Sequence, residues 1–247
     1  MKKLRSMIMA VVLVLMVVPA AFAGVETSGY ASVDVMSSYV WRGIQLHEAA
    51  AVQPSVGITY GNFGANFWAN YDSDDAVKEI IETDLTLNYV FEVDKLAFDV
   101  GYIYYALDGF ADTQEFYVSA SYDVLLSPTL TLYYDVDEGD GGFIVAAISH
   151  SLPVMEDKAS INLGASASYN MSNLVMGVDP GGDEFSGLYN GELTASLSYA
   201  VNDNFSVEPK IAYSMALSDD AEFAIESMSE NGESGQFYGG VSLALNF

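Results

Sequence analysis

The sequence contains no cysteine, and its basic residues are few: 8 Lys and Arg stand against 34 Asp and Glu in 247 residues. Without cysteine the chain can form no disulfide, no thiolate metal site and no cysteine nucleophile. A formal net charge of -26 repels phosphate backbones, so nucleic-acid binding through a basic surface is excluded. Only two histidines, His47 and His150, are present as candidates for acid–base or metal chemistry.

Aromatic and aliphatic residues, in contrast, are abundant. Hydrophobic residues make up 51% of the chain, which carries 17 Tyr and 13 Phe. Disordered acidic segments lack such residues because they cannot bury enough apolar surface to fold. The composition therefore indicates a folded, strongly acidic protein.

The first residues are typical of a secretory signal peptide. Three basic residues (Lys2, Lys3 and Arg5) precede an apolar run over 7–18, and the small-residue pattern at Ala21 and Ala23 is a cleavage signal. The run is shorter than the ~20 residues that a transmembrane helix needs. We therefore predict a signal peptide over 1–23, export through the Sec translocon, and a single mature domain over 24–247.

After residue 24, apolar and polar residues alternate in segment after segment, whereas no 3.6-residue periodicity is sustained. In one segment Ile161, Leu163 and Ala165 fall on one strand face, and Asn162 and Gly164 fall on the other. The pattern predicts twelve strands, the first over 28–41 and the last over 237–247. Short turns alternate with longer, mostly acidic loops, among them 42–49 and 215–236.

An even number of antiparallel strands, joined alternately by short turns and long loops, is the plan of an outer-membrane barrel. The predicted fold class is all-β: a transmembrane up-and-down antiparallel β-barrel of about twelve strands, integral to the outer membrane of a Gram-negative bacterium. The alternative is a secreted soluble barrel or sandwich, because periodicity does not distinguish inside from outside. Tyr and Phe near many strand ends favour the membrane barrel, whose interfaces carry aromatic girdles.

One segment resembles a known family. The motif residues are Ser38, Tyr39, Trp41, Arg42, Gly43 and Gln45, and related patterns follow at 51–56 and 64–72. This opening resembles the TorF family of outer-membrane porins, although Ser38 stands where the family usually has Asp. The chain also ends on Phe247 after alternating apolar positions, and this ending resembles the signal read by the barrel assembly machinery. The resemblance implies location and barrel form, and little about the solute.

If apolar positions face lipid, charged residues of the opposite parity face the lumen. Acidic residues outnumber basic ones in this set, so a negative lumen should concentrate cations. We therefore expect a porin-like, cation-preferring channel for passive diffusion of small solutes. Arg42 and Lys210 are either selectivity elements or, as we favour, structural ties across the lumen. The predicted pore-lining residues are Asp34, Arg42, Glu82, Asp84, Asp99, Glu115, Asp123, Asp135, Glu192, Glu208 and Lys210.

Two other classes stay open. A lipid-modifying enzyme needs a histidine near a serine or carboxylate, but no catalytic motif accompanies His47 or His150, so we predict no catalytic residues and no enzyme. A non-conducting structural or surface-binding barrel is the second alternative. We predict no cofactor and no fixed metal site, yet the external carboxylates over 135–140 and 215–236 could bind Ca²⁺ or Mg²⁺ weakly and bridge lipopolysaccharide phosphates. Whether the lumen is open or gated is not determined by the sequence.

Overall fold

The computed structural model describes residues 25–73, 79–155 and 158–247. The predicted signal peptide lies outside the described residues. The elements are the strands β1 Thr27–Met36, β2 Tyr39–Trp41, β3 Ile44–His47, β4 Ala51–Tyr60, β5 Phe63–Asp72, β6 Ile80–Val93, β7 Leu96–Leu107, β8 Thr113–Tyr122, β9 Thr129–Asp135, β10 Gly141–Val154, β11 Ala159–Met171, β12 Ser186–Ala200, β13 Phe205–Ala216 and β14 Gly235–Asn246, a 3-10 turn Leu174–Met176, and the helix α1 Asp219–Met228.

Twelve of the strands, β1 and β4 to β14, form one closed antiparallel barrel. From β4 to β14 each strand pairs with the next strand along the chain, and β1 closes the ring by pairing with β4 on one side and β14 on the other. The predicted all-β fold with twelve strands is thus confirmed. Closure leaves no unpaired strand edge, and a membrane barrel needs this because lipid offers no hydrogen bonds.

The last residue takes part in this closure. The amide of Phe247 donates to the carbonyl oxygen of Gly29 at 2.9 Å, and the amide of Gly29 donates to the carbonyl oxygen of Phe247 at 2.7 Å. A Cβ added at Gly29 would lie 2.7 Å from the Phe247 ring. The terminal aromatic therefore packs over a residue that has no side chain, at the seam where the two ends of the barrel meet.

The alternation places apolar side chains on the outer face of the barrel. On β14, Val241, Leu243 and Leu245 point outward and are exposed, whereas Gln236 points inward and is buried. The start of β1 and the last residue lie on the side of the barrel with the short turns, because Thr27 pairs with Tyr60 next to the turn at 61–62 and Phe247 is hydrogen-bonded to Gly29. The long connections lie at the opposite end.

Three of these long connections contain ordered structure that the sequence analysis did not predict. The predicted first strand over 28–41 is interrupted, because β1 ends at Met36 and the chain then forms the separate hairpin β2–β3. The connection between β11 and β12 contains the 3-10 turn. The predicted loop over 215–236 contains α1.

The local sequence explains the helix. Ser218 caps it by accepting a hydrogen bond from the amide of Ala221, and three acidic residues occupy the first turn, where they complement the helix dipole. Ala221, Ala224 and Ile225 are buried on one face. None of the helices in the described part of the chain is long and apolar enough to cross a bilayer.

Candidate functional site

The interior of the barrel is the candidate site, and the hairpin β2–β3 occupies its long-loop end. The turn of this hairpin has two residues, Arg42 and Gly43, with φ of 49° and 88°. Positive φ at both central residues is the turn geometry that suits two-residue hairpins. A Cβ at Gly43 would lie 3.1 Å from the Asn190 Cβ and 3.2 Å from the Ser214 Oγ. The hairpin tip therefore rests directly against the inner wall formed by β12 and β13.

Arg42 ties the hairpin to the barrel wall. Its Nη1 and Nη2 donate to Oε1 and Oε2 of Glu115 on β8, at 2.8 and 2.7 Å. The two side chains are only 10% and 1% exposed, and the Tyr105 hydroxyl donates to the same carboxylate at 2.8 Å. This two-pronged pairing is the geometry in which Arg binds a carboxylate most strongly.

Aromatic rings enclose the Arg42 guanidinium. Its central carbon lies 4.5 Å from the Trp41 ring centroid, 4.7 Å from that of Tyr133 and 4.5 Å from that of Phe143. Rings at such distances attract a cation and shield it from water. In this structure Arg42 is a tie across the interior.

Two further contacts attach the hairpin to strands β5 and β6. Tyr39 is buried beside Glu82, and this burial together with the neighbouring carboxylate raises the pKa of the Tyr39 hydroxyl well above its usual range. At the far end of the hairpin, His47 Nδ1 lies 2.9 Å from Asp72 Oδ2 and 4.0 Å from Glu230 Oε2.

An apolar cluster joins the hairpin to the other two ordered connections. Ile44 is fully buried, and its partners come from the barrel wall, the 172–185 connection and α1. The Tyr189 hydroxyl donates to the carbonyl oxygen of Met176 at 2.8 Å, so the polar end of this buried ring is satisfied. The cluster comprises Ile44, Phe143, Met176, Phe185, Tyr189, Ala221, Ala224 and Ile225.

Hydrogen bonds link the hairpin to the end of α1. The Gln45 amide donates to Ser229 Oγ at 3.1 Å, and the Glu230 amide donates to the Gln45 carbonyl oxygen at 2.9 Å. The amide of Glu48 donates to Glu230 Oε2 at 2.6 Å. The hairpin, the 172–185 connection and α1 thus form one packed body, which we call the plug.

Polar side chains line the inner wall below the plug. Lys210 Nζ pairs with Asp34 Oδ2 at 2.5 Å, and the Tyr238 hydroxyl donates to Glu192 at 2.8 Å. A cavity of about 310 Å³ lies against this part of the wall, with Gln53, Ser196 and Glu208 among its lining residues. Lys210 therefore pairs with a carboxylate two strands away along the same wall, with β14 between the two strands.

Most of the predicted pore-lining residues lie on strand faces that point inward. Asp99 accepts hydrogen bonds from Asn88 and Tyr117 at 2.9 and 3.2 Å. Asp135 is buried and accepts from the Thr113 hydroxyl at 2.8 and 2.7 Å. The inward set comprises Asp34, Glu82, Asp84, Asp99, Glu115, Asp135, Glu192, Glu208 and Lys210.

Asp123 is placed differently from the prediction. The predicted strand continued beyond it, but β8 ends at Tyr122, and Asp123 is exposed in the turn before β9. Asp72 was not predicted as an interior residue, because the strand containing it was expected to stop one residue earlier. The rings of Tyr133 and Phe143 were also missed as partners of Arg42, although their inward parity could have indicated them.

His150 lies on the outer face of β10 near the short-turn end, in register with Leu163. Its Nδ1 is 2.8 Å from the carbonyl oxygen of Leu125. That contact is with the backbone, whereas an acid–base pair needs a serine or carboxylate partner. Among the residues that the structure describes, no three His, Asp or Glu side chains converge into a metal site.

Comparisons with solved structures define the class of fold. A KdgM porin superposes with a TM-score of 0.56 at 12% identity, covering 89% of this chain and 99% of that chain. A NanC porin gives 0.52 at 11% identity over 88% and 98%. The COG4313 outer membrane channel from Pseudomonas putida F1 gives 0.52 at 12% identity over 92% and 97%.

The chain therefore has the fold of outer-membrane channel proteins, and the similar structures are channels, not enzymes. Identities this low establish the fold alone. No sequence-family description matches the chain, and no curated protein matches it. Membership of the TorF family stays a prediction from the residues around Arg42.

Proposed function

We propose that this protein is an integral outer-membrane channel of the porin type, through which small solutes diffuse with a preference for cations. The observation that carries the proposal is the closed twelve-stranded barrel whose inward faces bear many carboxylates and few cations. Both basic residues of the predicted set are already paired, Arg42 with Glu115 and Lys210 with Asp34. The remaining carboxylates give the lumen a negative potential, which raises the local cation concentration.

The charge of the lumen also bears on the kind of solute. One structure of similar fold is a KdgM porin in complex with disordered oligogalacturonate, with a TM-score of 0.50 at 10% identity. Oligogalacturonate is a polyanion. An acidic lumen such as this one repels polyanions, so cationic or neutral small solutes are the better fit for this chain.

We further propose the TorF-type assignment, with the long-loop end and its acidic residues outside the cell and both chain ends in the periplasm. Its motif residues Ser38, Tyr39, Trp41, Arg42, Gly43 and Gln45 all belong to the hairpin segment, most of them buried inside the barrel. A motif that folds into the lumen fits a role in controlling passage. We also propose that exposed carboxylates near α1 bind Ca²⁺ or Mg²⁺ weakly.

The test is electrical. The folded protein is reconstituted in a planar bilayer, and single-channel conductance and the reversal potential are measured across a KCl gradient. We expect discrete conductance steps and a reversal potential of the sign that K⁺ preference gives. An anion-selective reversal potential would contradict the assigned role of the inward carboxylates.

A second candidate is a permanently plugged, non-conducting barrel, which the packed plug favours. The apolar cluster and the Arg42 pair fill the long-loop end. This candidate predicts that a folded barrel, verified by its heat-dependent gel migration, shows no conductance steps, even after the contacts that hold the plug are weakened.

A further inference from the structure

We infer that the plug is a gate and that the Arg42–Glu115 pair is its latch; this inference rests on the proposed channel function. No main-chain hydrogen bonds of the barrel ladders include β2 or β3, which form a two-stranded sheet of their own. The hairpin can therefore move without breaking any strand pair of the barrel.

The hairpin contacts the wall through an apolar cluster, in which Ile44 lies with Phe143 and Tyr189, and through several polar side-chain pairs. Arg42 reaches Glu115 on β8, Tyr39 lies beside Glu82 on β6, and His47 contacts Asp72 on β5. Among these, the Arg42 pair is the one with two parallel hydrogen bonds and with both side chains almost fully buried. Removing one partner of such a pair strongly destabilises the closed arrangement, because the other charge is left buried and unpaired.

The rest of the plug supplies a pivot. The hairpin is hydrogen-bonded to α1 through Gln45, Ser229 and Glu230, and α1 is continuous with β13 and β14 through residues 217–218 and 229–234. Release of the latch thus frees the hairpin tip from β8 and leaves its α1 contacts in place. The passage that opens connects the external end with the 310 Å³ cavity below.

The experiment uses the absence of cysteine from the sequence. Ser214→Cys introduces a single thiol at a fully buried inward position beneath the hairpin turn. A membrane-impermeant maleimide labels this thiol only when the hairpin lifts. Labelling rates are compared among four proteins in proteoliposomes, all of which carry Ser214→Cys. The first, the parent, has no other change, the second adds Glu115→Gln, and the third adds both Arg42→Met and Glu115→Gln. The fourth adds Glu138→Gln at an exposed position and serves as the control.

We expect Glu115→Gln to accelerate labelling by about tenfold or more, because Arg42 is then buried without its counter-charge. The double variant should label more slowly than Glu115→Gln, because neither charge is left unpaired. Glu138→Gln should match the parent. The open fraction in planar bilayers should follow the same order, and unchanged heat-dependent gel migration shows that the barrel itself stays folded in each variant.

Two results overturn the inference, and they differ in what they mean for the proposed function. Equal labelling and equal, nonzero conductance in all variants refute the latch and leave the channel in place. Faster labelling of Glu115→Gln with no conductance in any variant means that the hairpin moves but opens no path, which refutes both the gate and the channel. Conductance that appears with Glu115→Gln and is rare in the parent supports both.

Discussion

Removing the Ile225 side chain should loosen the plug while sparing the barrel. Ile225 is 0% exposed at the centre of the apolar cluster, and Ile225→Ala deletes three carbon atoms there. At ~0.8 kcal/mol per buried methylene the loss of transfer free energy is about 2.4 kcal/mol. The cavity left behind adds to this, so a total of about 3–5 kcal/mol is expected.

This cost should appear as local opening of α1, since the helix is outside the barrel ladders. A loss of ~3 kcal/mol corresponds to roughly a hundredfold faster hydrogen exchange, given that 1.4 kcal/mol is about tenfold. The measurement is hydrogen exchange by mass spectrometry on peptides covering Asp219–Met228 and, for comparison, β6 and β7.

The matched control is Phe223→Ala on the same helix. Phe223 is 39% exposed, so part of its ring already contacts solvent, no enclosed cavity forms, and the expected cost is smaller, at about 1–2 kcal/mol. If Ile225→Ala and Phe223→Ala accelerate exchange in α1 equally, or if Ile225→Ala accelerates the barrel strands as much as the helix, the assigned packing is wrong.

Three further predictions concern the turn, the lumen and an external loop. Gly43→Ala should destabilise the hairpin by about 1–2 kcal/mol and expose it to protease, because Gly43 has a φ of 88° and a Cβ there would meet Asn190. The control Gly182→Ala has a φ of 85° but no atom within 4 Å, so it tests the backbone strain alone. Equal protease sensitivity in the two variants would contradict the contact between residue 43 and Asn190. Removing two lumen charges with Asp99→Asn and Glu208→Gln should reduce the cation-to-anion permeability ratio roughly two- to fivefold, since a nearby charge in water contributes up to ~1 kcal/mol. The control variants Asp94→Asn and Asp203→Asn, in the short turns, should change the reversal potential less. The Tyr104 hydroxyl and the Leu107 amide donate to Asp112 and lower the pKa of that exposed carboxyl. The stabilisation that these hydrogen bonds give the loop is therefore present at neutral pH and is lost as pH falls through the lowered pKa. Tyr104→Phe should raise the Asp112 pKa in a carboxyl-carbon NMR titration, and an unchanged pKa would refute the assignment.

The barrel itself could be predicted from the sequence because alternation is a local property. A period of two along a strand places side chains on opposite faces whatever the rest of the chain does. The same period of two predicts that the side chains of Glu115 and Lys210 face the interior. Asp123 shows the limit of this reasoning, since parity assigns a face only where the strand continues, and β8 ends at Tyr122.

The helix carries signals that could have identified it. Ser218 is followed by three acidic residues, and Ala221, Ala224 and Ile225 have helical spacing. The segment is short, however, and its many carboxylates are equally typical of a solvated loop. The hairpin is harder to predict, because only Ser37 and Ser38 separate β1 from the apolar residues Tyr39, Val40 and Trp41, and neither proline nor glycine stands between them.

By itself, the sequence determined the class of fold, the strand number and the acidic character of the inward faces, because each depends on residue type and on a spacing of two. Only the tertiary structure decided which carboxylate each cation meets and that the long-loop end is filled. Glu115 is 73 positions from Arg42, and Asp34 is 176 positions from Lys210. Such pairs are set by the closure of the ring and by the inward fold of the hairpin, and no local pattern records how far apart two strands lie in a closed barrel.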